Sequence, residues 1–290
     1  MQALTLNTAV GSLAANLYLP TSQDGVKPPV VIVTGAWTTV KEQMPAVYAK
    51  ALTERGFAAL TFDFRGWGKS QDDIKYLEDP ARKTEDIRAV IDAIAQIKEV
   101  DSNRVFGLGV CASTGYMLDA ISGNKGIIAG AAIAPWIHNR EIAEQVYGGE
   151  ASVNNLIELG RDAKSSQSVY IEAASMVNEN ALMFQAPYYT EAGRGLIPEY
   201  NNLFNVASWE PWLTYDALSG AAQQDKPVLL VGSESMALPA GTHQYLEQSG
   251  ENVSALWLED VSQFDFYDVA QPVSESANAV AEHFKHALDA

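Results

Sequence analysis

The sequence predicts an α/β fold in which a mostly parallel, doubly wound sheet carries an inserted helical cap. Three observations lead there. Apolar runs such as Val30-Val31-Ile32-Val33 and Val228-Leu229-Leu230-Val231 are continuous rather than alternating, as in strands buried on both faces. They alternate with helical patterns at the spacing of βαβ units. Residues 136–205 then break the rhythm with a stretch rich in aromatic, proline and glycine residues.

Each element has its own justification. Residues 3–19 alternate around a turn at Gly11-Ser12, which predicts an antiparallel hairpin ended by Pro20. Residues 30–33 form the first parallel strand, a helix over 41–55 closes at Arg55-Gly56, and 57–62 is the next strand. The Gly-punctuated loop Asp63-Phe64-Arg65-Gly66-Trp67-Gly68-Lys69-Ser70 leads to a helix over 80–98 with Pro80 at its start. A strand ending at Val110, a helix and a strand over 126–134 follow. In the interruption, helices are expected around 139–147 and 164–180. Its aromatic content suggests a lid over an apolar pocket, with Trp136, Tyr188 and Phe204 as walls. The core resumes with a strand over 226–232, a helix over 239–249, a strand over 254–258 and a terminal helix over 269–288. Residues 1–135 and 206–290 therefore make the core and 136–205 the cap.

Composition narrows the chemistry. The 290 residues, 47% hydrophobic and 19% charged, suffice for one large core. A net charge of −17 leaves no basic stripe to offset phosphate repulsion, which excludes a nucleic-acid role. One Cys excludes an internal disulfide, and four His leave no zinc constellation, so no metal or cofactor is expected. Met1-Gln2-Ala3-Leu4-Thr5-Leu6 lacks the pattern of a secretory signal, and no apolar run approaches the ~18 residues of a membrane span. A cytoplasmic protein acting on a small molecule without membrane partners is the expectation, with a homodimer left open as its assembly.

The chemistry concentrates at Val105-Phe106-Gly107-Leu108-Gly109-Val110-Cys111-Ala112-Ser113-Thr114-Gly115-Tyr116, where an apolar run ends in small residues around Cys111 and a helical pattern begins. Gly109-Val110-Cys111-Ala112-Ser113 has the form Gly-x-nucleophile-x-small of a strained strand-to-helix turn. Gly107-Leu108-Gly109 lacks the third Gly and the Lys of a phosphate loop. A lone Cys is ordinarily a buried small hydrophobe, but its place at a strand end favours a nucleophile. Ser113, the alternative, would lie inside the helix. The helix N-terminus is expected to stabilise a Cys111 thiolate.

Residues just past other strand ends complete the set. In Thr34-Gly35-Ala36-Trp37-Thr38-Thr39 the N–H of Trp37, with that of Ala112, would form an oxyanion hole. Glu234 stands where an acid follows the nucleophile in chain order. The segment Glu259–Asp268, where the base belongs, contains no His. His138, just past a core strand, is the candidate auxiliary base, while His243, His283 and His286 are expected at the surface. Asp63 and Asp265 are strand-end carboxylates that tune the site or anchor loops.

These residues resemble the α/β-hydrolases of the dienelactone-hydrolase and polyketide-transferase-like group, whose elbow reads Gly-x-Cys-x-small-Gly. The similarity includes Lys41-Glu42-Gln43, the 63–70 loop, Tyr76-Leu77-Glu78-Asp79-Pro80 and Glu85-Asp86-Ile87. Gln263-Phe264-Asp265-Phe266-Tyr267-Asp268 resembles that group's His-x-Asp-Leu-Tyr-Asp, with Gln263 at the His position. The resemblance implies an α/β-hydrolase fold and a Cys-centred hydrolase of a small ester, lactone or thioester, or an acyltransferase, working through an acyl-enzyme. Gln is a neutral amide that orients groups but takes no proton. A thiol can still be acylated there, with deacylation as the harder step; the reading from another class is a silenced protein that binds the acyl compound without turnover.

Overall fold

The buried apolar runs pair into one sheet. The computed structural model describes residues 1–21, 25–165 and 168–289. In chain order the sheet's strands are β1 (Gln2–Thr8), β2 (Gly11–Tyr18), β3 (Val30–Thr34), β4 (Ala58–Phe62), β5 (Val105–Val110), β6 (Ala129–Ile133), β7 (Val228–Gly232) and β8 (Val253–Trp257). In space they run β1-β2-β4-β3-β5-β6-β7-β8. β2 pairs antiparallel with β1 and β4, and all other pairs are parallel. Every residue of β3 through β7 is buried, which is why these strands read as continuous apolar runs.

The chain leaves β3 toward β4 and returns past β3 to β5, so the strand order reverses beside β3 and β5. Loops at their carboxyl ends therefore bound a crevice. Because both crossovers are right-handed, α1 (Met44–Thr53) and α2 (Pro80–Ala93) lie on opposite faces of the sheet. The terminal helix Ala270–Asp289 joins α1, and α3 (Ser113–Ile121) joins α2. Pro80 opens α2, and the Asp79 side chain accepts the Arg82 N–H as its cap at 3.1 Å.

The excursion between β6 and β7 differs from the expected helices. Helices span Arg140–Val146 and Glu150–Ser165, the second set by Val153, Ile157, Gly160 and Ala163 at helical spacing. The stretch expected as helix over 164–180 instead includes Tyr170–Glu172, paired with Leu203–Asn205, and Ala174–Ser175, paired with Met183–Phe184; residues 166 and 167 lie outside the described ones. Val169-Tyr170-Ile171-Glu172 carries the β-branched, alternating signal that the helical reading overrode. A further helix, Trp209–Leu213, packs on Glu150–Ser165, so residues beyond 205 travel with the cap. The apolar core runs without a break from the sheet into Tyr188, Tyr189, Phe204 and Trp212. Among the described residues no helix is long and apolar enough to cross a membrane.

Candidate active site

Sterics at the end of β5 put one side chain forward. Cys111 has φ +57°, a conformation that costs a non-glycine residue about 1–3 kcal/mol and persists only where surroundings impose it. Here its N–H donates to the Ile133 carbonyl at 3.0 Å, and its carbonyl accepts the N–H of Trp136 at 3.1 Å. A Cβ on Gly109 would lie 2.7 Å from the Ser113 carbonyl oxygen and 2.9 Å from Thr114 Cα, so only glycine lets β5 and α3 cross there. Ser113 is fully buried, and its hydroxyl both donates to Val110 O and accepts from Val110 N at 3.2 Å. Committed to the elbow's own backbone, it is not free to attack a substrate.

The backbone N–H groups of Trp37 and Ala112 and the hydroxyl of Tyr267 each act to lower the Cys111 thiol pKa. Burial nevertheless dominates and pushes the thiol pKa above its ordinary value, with the Glu78 carboxylate adding to the rise. Burial therefore outweighs the favourable influence expected from the helix N-terminus, Cys111 being 7% exposed.

The Trp37 loop is held from outside. Thr38 has φ +62°, and its N–H donates to Glu78 Oε2 at 3.1 Å. Glu78 Oε1 accepts from Lys83 Nζ at 2.7 Å and from Tyr116 Oη at 2.9 Å. Lys83 lies over the rings of Phe64, Trp67 and Tyr116. The Thr38 hydroxyl meets Tyr200 Oη at 3.3 Å, which ties the same loop to the cap.

Gln263 and Tyr267 act as a unit. Ser262 N–H and Oγ donate to Asp265 Oδ2 at 2.9 and 2.6 Å, starting the one-turn helix Asp265–Asp268. Its geometry sets Gln263 and Tyr267, four residues apart, on one side. Gln263 Oε1 accepts the Ala237 N–H at 3.0 Å, while Nε2 donates to Ala134 O at 3.0 Å and to Tyr267 Oη at 3.1 Å. One obligate donor and one obligate acceptor fix the orientation of the amide. Both of its N–H groups are committed, so it meets the sulfur through Tyr267.

The remaining candidates lie elsewhere. Glu234 is exposed, with Oε1 2.9 Å from His243 Nε2, and the structure does not bring it to Cys111 or Gln263. Without an imidazole to hold, a strand-end carboxylate gains more from solvent and the nearby His243. His138 is 2% exposed, stacks at 4.5 Å on Trp212, and bonds Trp212 O through Nε2 at 2.9 Å; that bond places it in the cap rather than on the sulfur. Phe204 packs on Trp37 at 5.3 Å and Trp136 lies 6.4 Å from Trp212. Tyr188 stands behind Tyr267 at 5.0 Å, in the layer supporting the wall. Asp63 anchors loops, accepting Lys41 Nζ at 2.6 Å and the N–H groups of Lys41 and Lys69 at 2.9 Å. His283 is half-buried rather than exposed, with Nε2 3.0 Å from Gly130 O.

Sequence reasoning missed Tyr267, Tyr189, Glu78 and Trp212 as site residues. The four-residue spacing from Gln263 to Tyr267 is the one local signal that points to any of them.

Burial lowers the His138 pKa to about 4, below its ordinary 6.5. The unfolded chain therefore binds a proton between pH 6.5 and 4 that the folded chain refuses. Stability present above pH 6.5 is lost as pH falls through that window, by about 3 kcal/mol at most. Urea midpoints measured from pH 7 to 4 are expected to fall less steeply in His138→Phe than in the wild type; identical slopes would contradict the assignment.

Residues 11–183, more than half the chain, match the family model Hydrolase_4, described as serine aminopeptidase, S33. The uncharacterized protein YcjY of Escherichia coli K12 is 26% identical over 97% of this chain and 96% of its own length. The crystal structure of hypothetical protein PA2218 from Pseudomonas aeruginosa is similar at a TM-score of 0.85 and 24% identity, covering 98% of this chain and 92% of that one. A soluble variant of monoglyceride lipase from Saccharomyces cerevisiae, in complex with a substrate analog, is similar at 0.72 and 12% identity, covering 99% and 95%. The two structural likenesses show the α/β-hydrolase fold.

Proposed function

Because the chain belongs to the Hydrolase_4 (serine aminopeptidase, S33) family, we propose that it is a hydrolase of small esters, lactones or thioesters in which Cys111 replaces the family's serine. The observation that carries this reading is a buried cysteine held at φ +57° on the strand-to-helix turn, with Trp37 N–H, Ala112 N–H and Tyr267 O–H all acting on its thiol. The two N–H groups move from the sulfur to the substrate's carbonyl oxygen as charge develops there.

In the first half-reaction a Cys111 S–C bond forms and the carbonyl π electrons move to oxygen. Collapse of that intermediate breaks the bond to the leaving group. The thiol proton must reach that leaving group, and Gln263 accepts none. The Tyr267 hydroxyl both accepts and donates, so it takes the thiol proton as it releases its own. In the second half-reaction the relay runs in reverse: water attacks the acyl carbon, its proton enters through Tyr267, and the S–C bond breaks as the sulfur is reprotonated. This role groups the chain with Cys-elbow hydrolases of the dienelactone-hydrolase type. Acyl transfer is the second reading, favoured because a nucleophile only 7% exposed restricts the access of water.

Burst kinetics with an activated aryl ester test the proposal. About one leaving group per chain is expected in a fast phase, followed by slower release. Tyr267→Phe is expected to slow both phases by about 10²-fold, the scale of losing one proton-transfer group. Release that is linear from the start and indifferent to Tyr267 would overturn it.

A further inference from the structure

Three buried ring nitrogens near the elbow lack a hydrogen-bond partner: Trp37 Nε1, Trp136 Nε1 and His138 Nδ1. All three rings pack on one side chain, Trp212, with centroids 4.8, 6.4 and 4.5 Å from it. Trp136 is also tied to the nucleophile by its main chain, its N–H donating to the Cys111 carbonyl at 3.1 Å.

Their donor and acceptor characters follow from chemistry. An indole nitrogen only donates. His138 Nε2 faces the Trp212 carbonyl, an acceptor, so it carries the hydrogen and Nδ1 is left with a bare lone pair. Around Trp212 these rings thus offer two donors and one acceptor. A buried hydroxyl can rotate to find a partner, whereas these atoms are fixed in rigid rings. Each, unpaired, carries the full desolvation cost of a buried polar atom. Poor packing does not explain them, since in the same layer the Trp212 indole N–H donates to Tyr147 Oη at 2.9 Å, and that of Trp67 donates to Leu77 O at 3.2 Å.

We propose that Trp37, Trp136 and His138 form a polar subsite that recognises a hydroxyl group on the acyl chain of the substrate. A hydroxyl gives its hydrogen to Nδ1 and accepts from an indole N–H. A ketone accepts from the indoles but leaves Nδ1 unpaired, and an unsubstituted chain leaves all three unpaired. Hydroxyacyl, then oxoacyl, then unsubstituted acyl is the resulting order of preference. The inference rests on Cys111 being the residue that takes the acyl group.

The test titrates Cys111→Ala, which leaves the ester intact, with methyl hexanoate and its 3-oxo, 3-hydroxy and 6-hydroxy derivatives, read by tryptophan fluorescence and calorimetry. At least one hydroxy ester is expected to bind tenfold or more tighter than methyl hexanoate, with the 3-oxo ester between. Adding Trp136→Phe or His138→Phe is expected to cut that advantage below threefold. Thermal melts establish which double variants fold; either one suffices, and the four-ligand series on Cys111→Ala stands without them. Equal binding of all four esters would mean that water satisfies the three nitrogens, and would overturn the subsite. An advantage undiminished in both double variants would overturn its assignment to these residues. Hydroxyl preference together with no Cys111-dependent acylation of the wild type would remove the proposed reaction and leave the subsite standing.

Discussion

Cys111→Ala is expected to lower kcat/KM for every acyl substrate by ~10³-fold or more while the melting temperature stays within a few degrees of the wild type. The loss is large because the proposed reaction forms its acyl bond at this sulfur, on which Trp37, Ala112 and Tyr267 all act. Cys111→Ser is expected to be nearly as inactive. An alcohol needs a strong base to attack, and Gln263 stands where the base would be. Initial rates on an aryl ester, beside melts of both variants, check this. A serine variant as active as the wild type would show that an unrecognised base operates.

Glu78→Ala carries the largest expected effect on stability, a loss of about 3–5 kcal/mol, read from urea denaturation midpoints. The substitution leaves the Lys83 ammonium buried among Phe64, Trp67 and Tyr116 without its carboxylate 2.7 Å away. Burial already pulls the Lys83 pKa below its ordinary value, so the orphaned group is driven to lose its proton. Glu78→Gln keeps the shape and loses the charge, and is expected to fall between. The same substitution unpins Thr38 N–H, next to Trp37, the proposed oxyanion donor, so kcat should fall more than KM rises. Wild-type stability in Glu78→Ala would contradict the pairing.

The parts of the site that depend on the main chain were legible in the sequence. Gly109 and Cys111 identify the elbow because only small residues tolerate the crossing of β5 and α3. Trp37 and Ala112 were singled out because strand ends fix where backbone N–H groups lie, and their oxyanion role is part of the proposal. The sheet was legible for a similar reason: strands buried on both faces admit only apolar residues. Side-chain direction was harder to read. Glu234 has the right place in chain order, yet nothing inside the site holds it. The thiol's burial was hidden too, since it depends on the packed structure and not on the apolar run itself. Trp212 lies beyond the expected end of the cap, and its role shows only when Trp209–Leu213 docks on Glu150–Ser165.

Intact-protein mass spectrometry after mixing with an activated aryl ester and an acyl thioester tests the central claim most directly. The wild type is expected to gain the mass of one acyl group, lost slowly on standing, while Cys111→Ala gains none. In Gln263→His the adduct should disappear faster, because imidazole can take a proton from the attacking water. An adduct that persists on Cys111→Ala, or no adduct and no Cys111-dependent turnover in the wild type, would contradict the assignment of Cys111 as the nucleophile.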